Sequence, residues 1–341
     1  MPNIRIKDVA KHAGVSEATI TRVVNNSGYV SAETRKRVLT SIEVLEYIPN
    51  RAASALKNNR TGIICNILPL SLDNPFFSSI AVSLKSAAIK YDYRILPIYN
   101  ETDRGRNDRL FRTAASGMAE GIIFTAEVTS SPRVVREVLD KGIPVIMIER
   151  PLNMKGVDKI LLDDFTGSQA AAEKFLALGH RNFGFIGREL RSDTVEYNRF
   201  NGYRQIMEEN HRALNAKAVV MTGEYTAECG YEAMKQILKQ DGRRRLTACF
   251  ITSDTLVCGA LQCLYDTGLR VPEDISIIGY DNTLSALCSP PITSVGFSYD
   301  EIGATAISLF RERREQGRVC DKTVTLSPFI LDRGSVADIQ R

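Results

Sequence analysis

Apolar residues recur at helical intervals through the first fifty positions: Val9, Ala10, Ala13, Val15, Ile20, Val23, Val24, Val38, Ile42 and Leu45. This spacing predicts three short helices, over Ile6–Ala13, Ser16–Asn25 and Ser31–Glu46, burying one small core. Gly14 separates the first two. Ser16 and Ser31 stand where a hydroxyl can accept from the orphan amides of the helix that follows. Past Tyr47, Pro49 blocks continuation of the third helix and Asn50 can cap a new one of barely two turns. Helices shorter than about 12 residues are marginal in water, so this stretch is predicted to be a linker that orders only when something stabilises it.

From Thr61 the rhythm changes to short apolar runs alternating with longer helical patterns. Strands are predicted at Ile63–Leu68, Arg94–Ile98, Gly121–Phe124, Val145–Ile148, Lys159–Leu162, Phe183–Ile186, Val219–Met221, Cys249–Ile251 and Ile275–Ile278. Such alternation means βαβ units and parallel sheets covered on both faces. Nine strands exceed one comfortable subdomain, and Asp158–Asp164 is a natural crossing, so two doubly wound lobes are expected, with a ligand crevice beyond the strands' carboxyl ends. The expected domains are 1–47, a linker over 48–60, and a body over 61–341. Within the body one lobe takes about 61–160 plus 292–325 and the other about 161–291 plus 326–341.

Charge sharpens this division. The net charge is +4, yet residues 1–60 hold ten Lys/Arg against five Asp/Glu, leaving the remainder at −1. A basic end on a near-neutral body points to a polyanionic partner for that end alone. The seven cysteines, Cys65, Cys229, Cys249, Cys258, Cys263, Cys288 and Cys320, never fall in a C-x-x-C spacing and read as reduced apolar residues. No apolar run reaches about 18 residues and no export signal opens the chain, so a cytoplasmic protein without membrane partners is expected.

Helix, glycine-containing turn and helix is the helix-turn-helix layout, whose second helix enters the major groove. Here that helix begins Ser16-Glu17-Ala18-Thr19-Ile20-Thr21-Arg22. Ile20, Val23 and Val24 are expected to face the core, while Glu17, Ala18, Thr21 and Arg22 point outward. Arg22 can bond bidentately to guanine, Glu17 can accept from cytosine, and Ala18 can touch a thymine methyl. Ser16, Thr19 and Asn25 suit phosphates, which set register. The competing reading is a small helical domain with a solvated polar face.

The segments DVAKHAGVS, TRVVN, VSAETRKRV and YIPNRAASAL closely resemble the DNA-binding headpiece and hinge of the lactose/galactose-repressor family, and the resemblance continues through LGHRNFGFIG, VPEDISIIGYDN and PPITSV. It implies an all-α helix-turn-helix headpiece with a hinge helix, followed by an α/β two-lobed periplasmic-binding-protein-like domain with parallel doubly wound sheets. It also implies a ligand-responsive regulator, most simply a repressor of carbohydrate genes, acting as a homodimer on a palindromic operator. Tyr29, Asn50 and Ala53 join the implied DNA contacts, and Leu56 matches the leucine that wedges into the minor groove and kinks the duplex.

For the effector, the resemblance carries over Phe76 and Phe77 as aromatic walls, Arg199 and Asp281 as the principal polar contacts, and Glu149, Asp193, Tyr225, Ser253 and Asp254 as further contacts. Phe76 and Phe77 can equally be helix-start core, and Arg199 with Asp281 a structural ion pair. Ser253-Asp254 and Glu149 depart from the Asn-Asp and aspartate of many relatives. An acidic lining of Glu149, Asp193 and Asp281 favours a neutral polyhydroxylated ligand over a phosphate. A sugar is expected first and a nucleoside or purine second; no cofactor or metal is expected. The rival readings are an enzyme, a plain solute-binding protein, and a regulator whose effector is a partner protein rather than a metabolite. An enzyme would need a reaction centre, yet His12, His180 and His211 have neither nucleophile nor metal spacing around them, and Asp163-Asp164 reads as the opening of a helix. A plain solute-binding protein would have no use for the basic headpiece.

Overall fold

The computed structural model describes residues 4–24, 28–47, 60–70, 74–125, 131–149, 154–189, 195–212, 214–241 and 246–340. The chain divides into two compact units, Met1–Thr61 and Gly62–Arg341.

The first unit holds α1 (Ile6–Ala13), α2 (Glu17–Val24) and α3 (Ala32–Val44). Gly14 ends α1 in the left-handed conformation that glycine adopts without cost, its N–H returned to Ala10 and Lys11. Ser16 Oγ accepts from Thr19 N at 3.2 Å, and Ser31 Oγ accepts from Thr34 N at 3.3 Å. Val9, Ala10, Ala13, Ile20, Val23 and Val38 form the buried core. Val24, expected inside, is 37% exposed. It lies about 100° around the helix from Val23, and a two-turn helix buries only a narrow stripe. Within the linker only Arg60 is described, so the expected hinge, with Asn50, Ala53 and Leu56, lies outside the described residues.

The second unit carries two six-stranded sheets. In chain order its elements are β1 (Ile63–Leu68), α4 (Pro75–Ile89), β2 (Arg94–Tyr99), α5 (Arg104–Thr113), β3 (Gly121–Phe124), α6 (Pro132–Asp140), β4 (Val145–Ile148), β5 (Val157–Leu162), α7 (Asp164–Ala177), β6 (Phe183–Arg188), α8 (Val195–Glu209), β7 (Val219–Thr222), α9 (Ala227–Asp241), β8 (Ala248–Ile251), α10 (Asp254–Asp266), β9 (Ser276–Tyr280), β10 (Thr293–Gly296), α11 (Tyr299–Arg314), β11 (Thr323–Leu326) and β12 (Phe329–Leu331). The strand orders are β11-β5-β4-β3-β1-β2 and β12-β10-β9-β8-β6-β7, the same winding twice. All pairings are parallel except β10 with β12. The strands β3, β4, β8, β9 and β10 are buried along their whole length, as parallel strands between helical layers must be.

Three of these strands, β10, β11 and β12, are short and were not anticipated from the sequence. β10 also moves a boundary: residues 292–296 were expected in the first lobe, but Thr293–Val295 pair with Ile278–Tyr280 of the second sheet. The chain therefore crosses between lobes at Asp163, at 297–298 and at 327–328. The inner layer between the lobes is one continuous core, from Phe76, Ile80 and Leu84 of α4 to Phe185, Phe250 and Tyr280 of the second sheet.

Candidate functional site

In the first unit, burial of Ile20 and Val23 fixes the rotation of α2 and so turns its other residues outward. Ser16, Glu17, Ala18 and Arg22 are exposed, while Thr19 and Thr21 are half-buried. The Thr21 hydroxyl donates to Glu17 O at 2.9 Å, and Ser16 and Thr19 hydroxyls lie 3.0 Å apart. His12 Nδ1 meets Ser41 Oγ at 3.0 Å, tying α1 to α3. Tyr29 stands almost fully exposed at 91%. The result is a small rigid frame presenting Glu17, Ala18 and Arg22 on one surface, a geometry able to read base edges. Asn25 lies outside the described residues.

In the second unit, strands β4, β5, β8 and β9 are each followed by acidic or hydroxyl residues, and all four of these ends converge on Arg199 of α8. Arg199 Nε donates to Asp164 Oδ1 at 2.8 Å, and Nη1 donates to Thr252 O at 2.8 Å. Asp281 Oδ1, Glu149 Oε1 and Glu196 Oε1 stand 3.6, 3.7 and 3.8 Å from its Nη atoms. The guanidinium lies 3.9 Å from the centroid of Tyr280, a cation–π contact. Every side chain in the cluster is at most 6% exposed.

Local structure makes this crowding feasible. Asp163 caps α7 by accepting from Thr166 N at 3.1 Å, which leaves Asp164 as the first helical residue and turns it inward. Glu196 accepts from Tyr225 at 2.5 Å and from Thr252 Oγ1 at 2.9 Å. Gly187 leaves it room, since a Cβ there would sit 2.6 Å from Glu196 Oε2. Glu149 and Asp281 both adopt positive φ, 70° and 88°, at the ends of β4 and β9. Such backbone strain in non-glycine residues is tolerated where surrounding structure fixes it, and it clusters at ligand sites.

Burial raises the acids of this cluster. Asp281 is pushed up to about 8 by loss of water, against the pull of Arg199. Asp164 and Glu196 are raised for the same reason, again opposed by Arg199. Arg199, which burial alone would discharge, is held charged by Asp164 and Asp281.

Of the sequence-derived candidates, Arg199, Asp281, Glu149 and Tyr225 are brought together. Ser253 caps α10, accepting from Thr255 N at 3.4 Å. Asp254 is otherwise engaged. Its Oδ2 accepts from the amides of Thr283, Leu284 and Ser285 at 2.6, 2.9 and 3.1 Å and from Ser285 Oγ at 2.5 Å, which pins the loop after Asp281. Phe76 is buried in the inner core, with Phe77 and Tyr299 edge-on at 5.4 and 6.0 Å. Phe77 is half-buried, and Asp193 lies outside the described residues. Sequence reasoning missed Asp164, Glu196, Thr252, Tyr280 and Tyr299. The last donates to the Asp281 carbonyl at 2.8 Å and so links Phe76 to the cluster. Glu196 left one readable trace, its place one helical turn before Arg199.

Comparison with known proteins accounts for both units. Residues 5–50 match the description "Bacterial regulatory proteins, lacI family", and residues 172–336 match "Periplasmic binding protein-like domain". The HTH-type transcriptional regulator DegA of Bacillus subtilis (strain 168) is 33% identical over 337 residues, covering 98% of each chain. This chain belongs to the lacI family. As a lacI-family protein it is a DNA-binding transcriptional regulator whose helix-turn-helix is α1–α2. Solved structures share its fold: the Lac repressor dimer bound to operator and the anti-inducer ONPF, with TM-score 0.77, 23% identity and 98% and 99% coverage, and the transcriptional regulator CelR in complex with cellobiose, with TM-score 0.71, 24% identity and 97% and 99% coverage. Among the described residues of this lacI-family regulator, no helix is long and apolar enough to cross a membrane.

Proposed function

We propose that this regulator is a repressor of carbohydrate uptake or catabolism genes, released from or fixed to a palindromic operator by a sugar bound beside Arg199 and Asp281. One observation carries the reading: a buried guanidinium, with hydrogen-bonding acids on both lobes, lies at the carboxyl ends of parallel strands, where doubly wound folds bind ligands. Glu149 comes from the first sheet and Asp281 from the second, so a polyol held between them would favour one relative setting of the lobes. Linkage requires the ligand to bind the two settings with different affinity, usually by a factor of about 5–150. The carbohydrate complex of a like-folded regulator agrees with a sugar, and the surplus of acids opposes a phosphate.

In the same reading the protein acts as a homodimer, with Glu17, Ala18 and Arg22 reading bases, Ser16, Thr19, Thr21, Asn25 and Tyr29 fixing the headpiece on the backbone, and Asn50, Ala53 and Leu56 forming the hinge contact. The test begins by selecting an operator from random duplex DNA and following it by fluorescence anisotropy. Thermal shift identifies a sugar that stabilises the protein. That sugar should change operator affinity, and Arg199→Ala should abolish the response while the basal affinity persists. Deletion of residues 1–60 should remove DNA binding and keep sugar binding. An Arg199→Ala variant that responds normally refutes the site.

A further inference from the structure

The fold brings together two cysteines that their sequence spacing keeps apart. All seven thiols are free, and Cys65, Cys249 and Cys263 are sealed in the cores, where burial pushes them up and leaves them unreactive. Cys258 and Cys288 differ. They lie 30 residues apart in the chain, one on α10 and one in the loop between β9 and β10, yet their Sγ atoms stand 4.0 Å apart and both are only half-buried. Leu287 beside them is 82% exposed, so the loop borders solvent. A disulfide holds its sulfurs about 2.05 Å apart, so closure needs an approach of about 2 Å, within reach of side-chain rotation and a small shift of a loop residue. The pair also adjoins an existing fastening. Asp254, one helical turn before Cys258, accepts from the amides of Thr283, Leu284 and Ser285, and Cys288 Sγ donates to Leu284 O at 3.5 Å. Both contacts hold the same loop, which begins at Asp281.

We propose that Cys258 and Cys288 are a modification site, a dithiol that hydrogen peroxide converts to a disulfide, clamping the loop after Asp281 to α10. Cys258 supplies the attacking sulfur. Cys288 donates to it and so draws its thiol below the ordinary 9.0, against burial and the charge of Asp254. Cys288 is raised by giving that bond, with Arg333 pulling it partly back. The Cys258 thiolate attacks one peroxide oxygen, the O–O bond breaks, and hydroxide leaves to take up the proton that Cys258 had released. The sulfur of Cys288 then attacks the sulfenic acid so formed; the S–S bond forms, the S–O bond breaks, and water departs with the Cys288 proton. Two thiols have lost two electrons and two protons, and one peroxide has become two waters. A small dithiol reverses the step by exchange, itself becoming the disulfide. The bond would do covalently what Asp254 does with hydrogen bonds, whatever ligand occupies the site at Arg199.

The experiment treats the reduced full chain with a small excess of hydrogen peroxide at about pH 7, blocks the remaining thiols with iodoacetamide in denaturant, and maps the products by mass spectrometry. Titratable thiols should fall from seven to five, two fewer, as a peptide bridging Cys258 and Cys288 appears, and dithiothreitol should restore them. Hydrogen exchange of the amides of residues 283–288 should slow by about tenfold or more in the oxidised protein and recover on reduction. Cys288→Ser should stop at a sulfenic acid on Cys258, captured by dimedone, whereas Cys258→Ser should give neither product. Cys320→Ser, which replaces the exposed cysteine, should behave as the wild type. Mapping and exchange on the wild-type chain decide the matter even where a variant misfolds. A bond through Cys320 or between two copies, or survival of the Cys258 and Cys288 thiols, overturns the site. A bridge that leaves exchange at 283–288 unchanged overturns the clamp.

Discussion

At the scale of single residues, the chemistry of the body is set by who accompanies Arg199. Asp281 shows the effect on stability. Its folded-state value of about 8 lies above the ordinary 3.8, so the folded protein keeps a proton that the unfolded chain releases between those limits. The stability this proton contributes is complete below about pH 4 and is lost as pH rises toward 8. Asp158 acts in the opposite sense. Burial would raise it, but hydrogen bonds from Arg313 and Arg318 hold it below 3.8, so its contribution is lost only in strong acid. Urea unfolding of the wild type should therefore show stability declining from pH 5 to 8. Asp281→Asn should flatten that decline by up to about 1.4 kcal/mol per pH unit, the slope of one proton. Parallel profiles for the two proteins would show that Asp281 does not hold the proton. Arg199 and Asp281 were readable from the sequence because they sit in segments resembling a known family. Asp164 was not, because Asp163-Asp164 has the pattern of a helix opening. Both statements hold: Asp163 is the cap, and its neighbour is thereby aimed at Arg199.

Among the elements, the strands were the most legible, since β-branched runs between helical patterns leave little choice. Of the three that escaped, β10 and β11 are four residues long and include Thr, Ser or Gly, too short and too polar to mark themselves, while β12 is apolar but only three residues long. Helix pairing was also hidden in the sequence, although its agents are visible there. Gly202 of α8 faces the backbone of Phe165 in α7, Gly303 of α11 faces Ser83 in α4, and Gly230 and Gly259 face each other's helices. A Cβ on Gly259 would fall 1.7 Å from Ala227 O, inside the backbone of α9. An isolated glycine in a helical pattern says only that something approaches; the partner comes from the fold. Gly259→Ala should force α9 and α10 apart and cost about 1–3 kcal/mol, read as a lower urea midpoint with unchanged slope. A neutral outcome would mean that the pair has room to slide.

The whole molecule is the scale at which the sequence said least about surfaces. Apolar side chains remain outside on the first lobe: Val82 and Ile89, two helical turns apart on α4, are 64% and 68% exposed, and edge strand β2 adds Leu96 and Tyr99. Periodicity assigned such residues to helix and strand without telling which face would stay uncovered. Exposed apolar surface on this scale suits a second copy of the chain, as the proposed dimer requires. Val82→Glu with Ile89→Glu should halve the mass seen by sedimentation and weaken operator binding, because each headpiece would then hold its half-site alone. A variant that remains dimeric would place the interface elsewhere. The three crossings between lobes have a different consequence. They span only Asp163, residues 297–298 and residues 327–328, and two are joined directly, Asp163 N donating to Leu326 O at 3.1 Å. Plates strapped so tightly at three points can turn about the straps but can scarcely slide. What a ligand at the proposed Arg199 site would deliver to the second unit is therefore an angle.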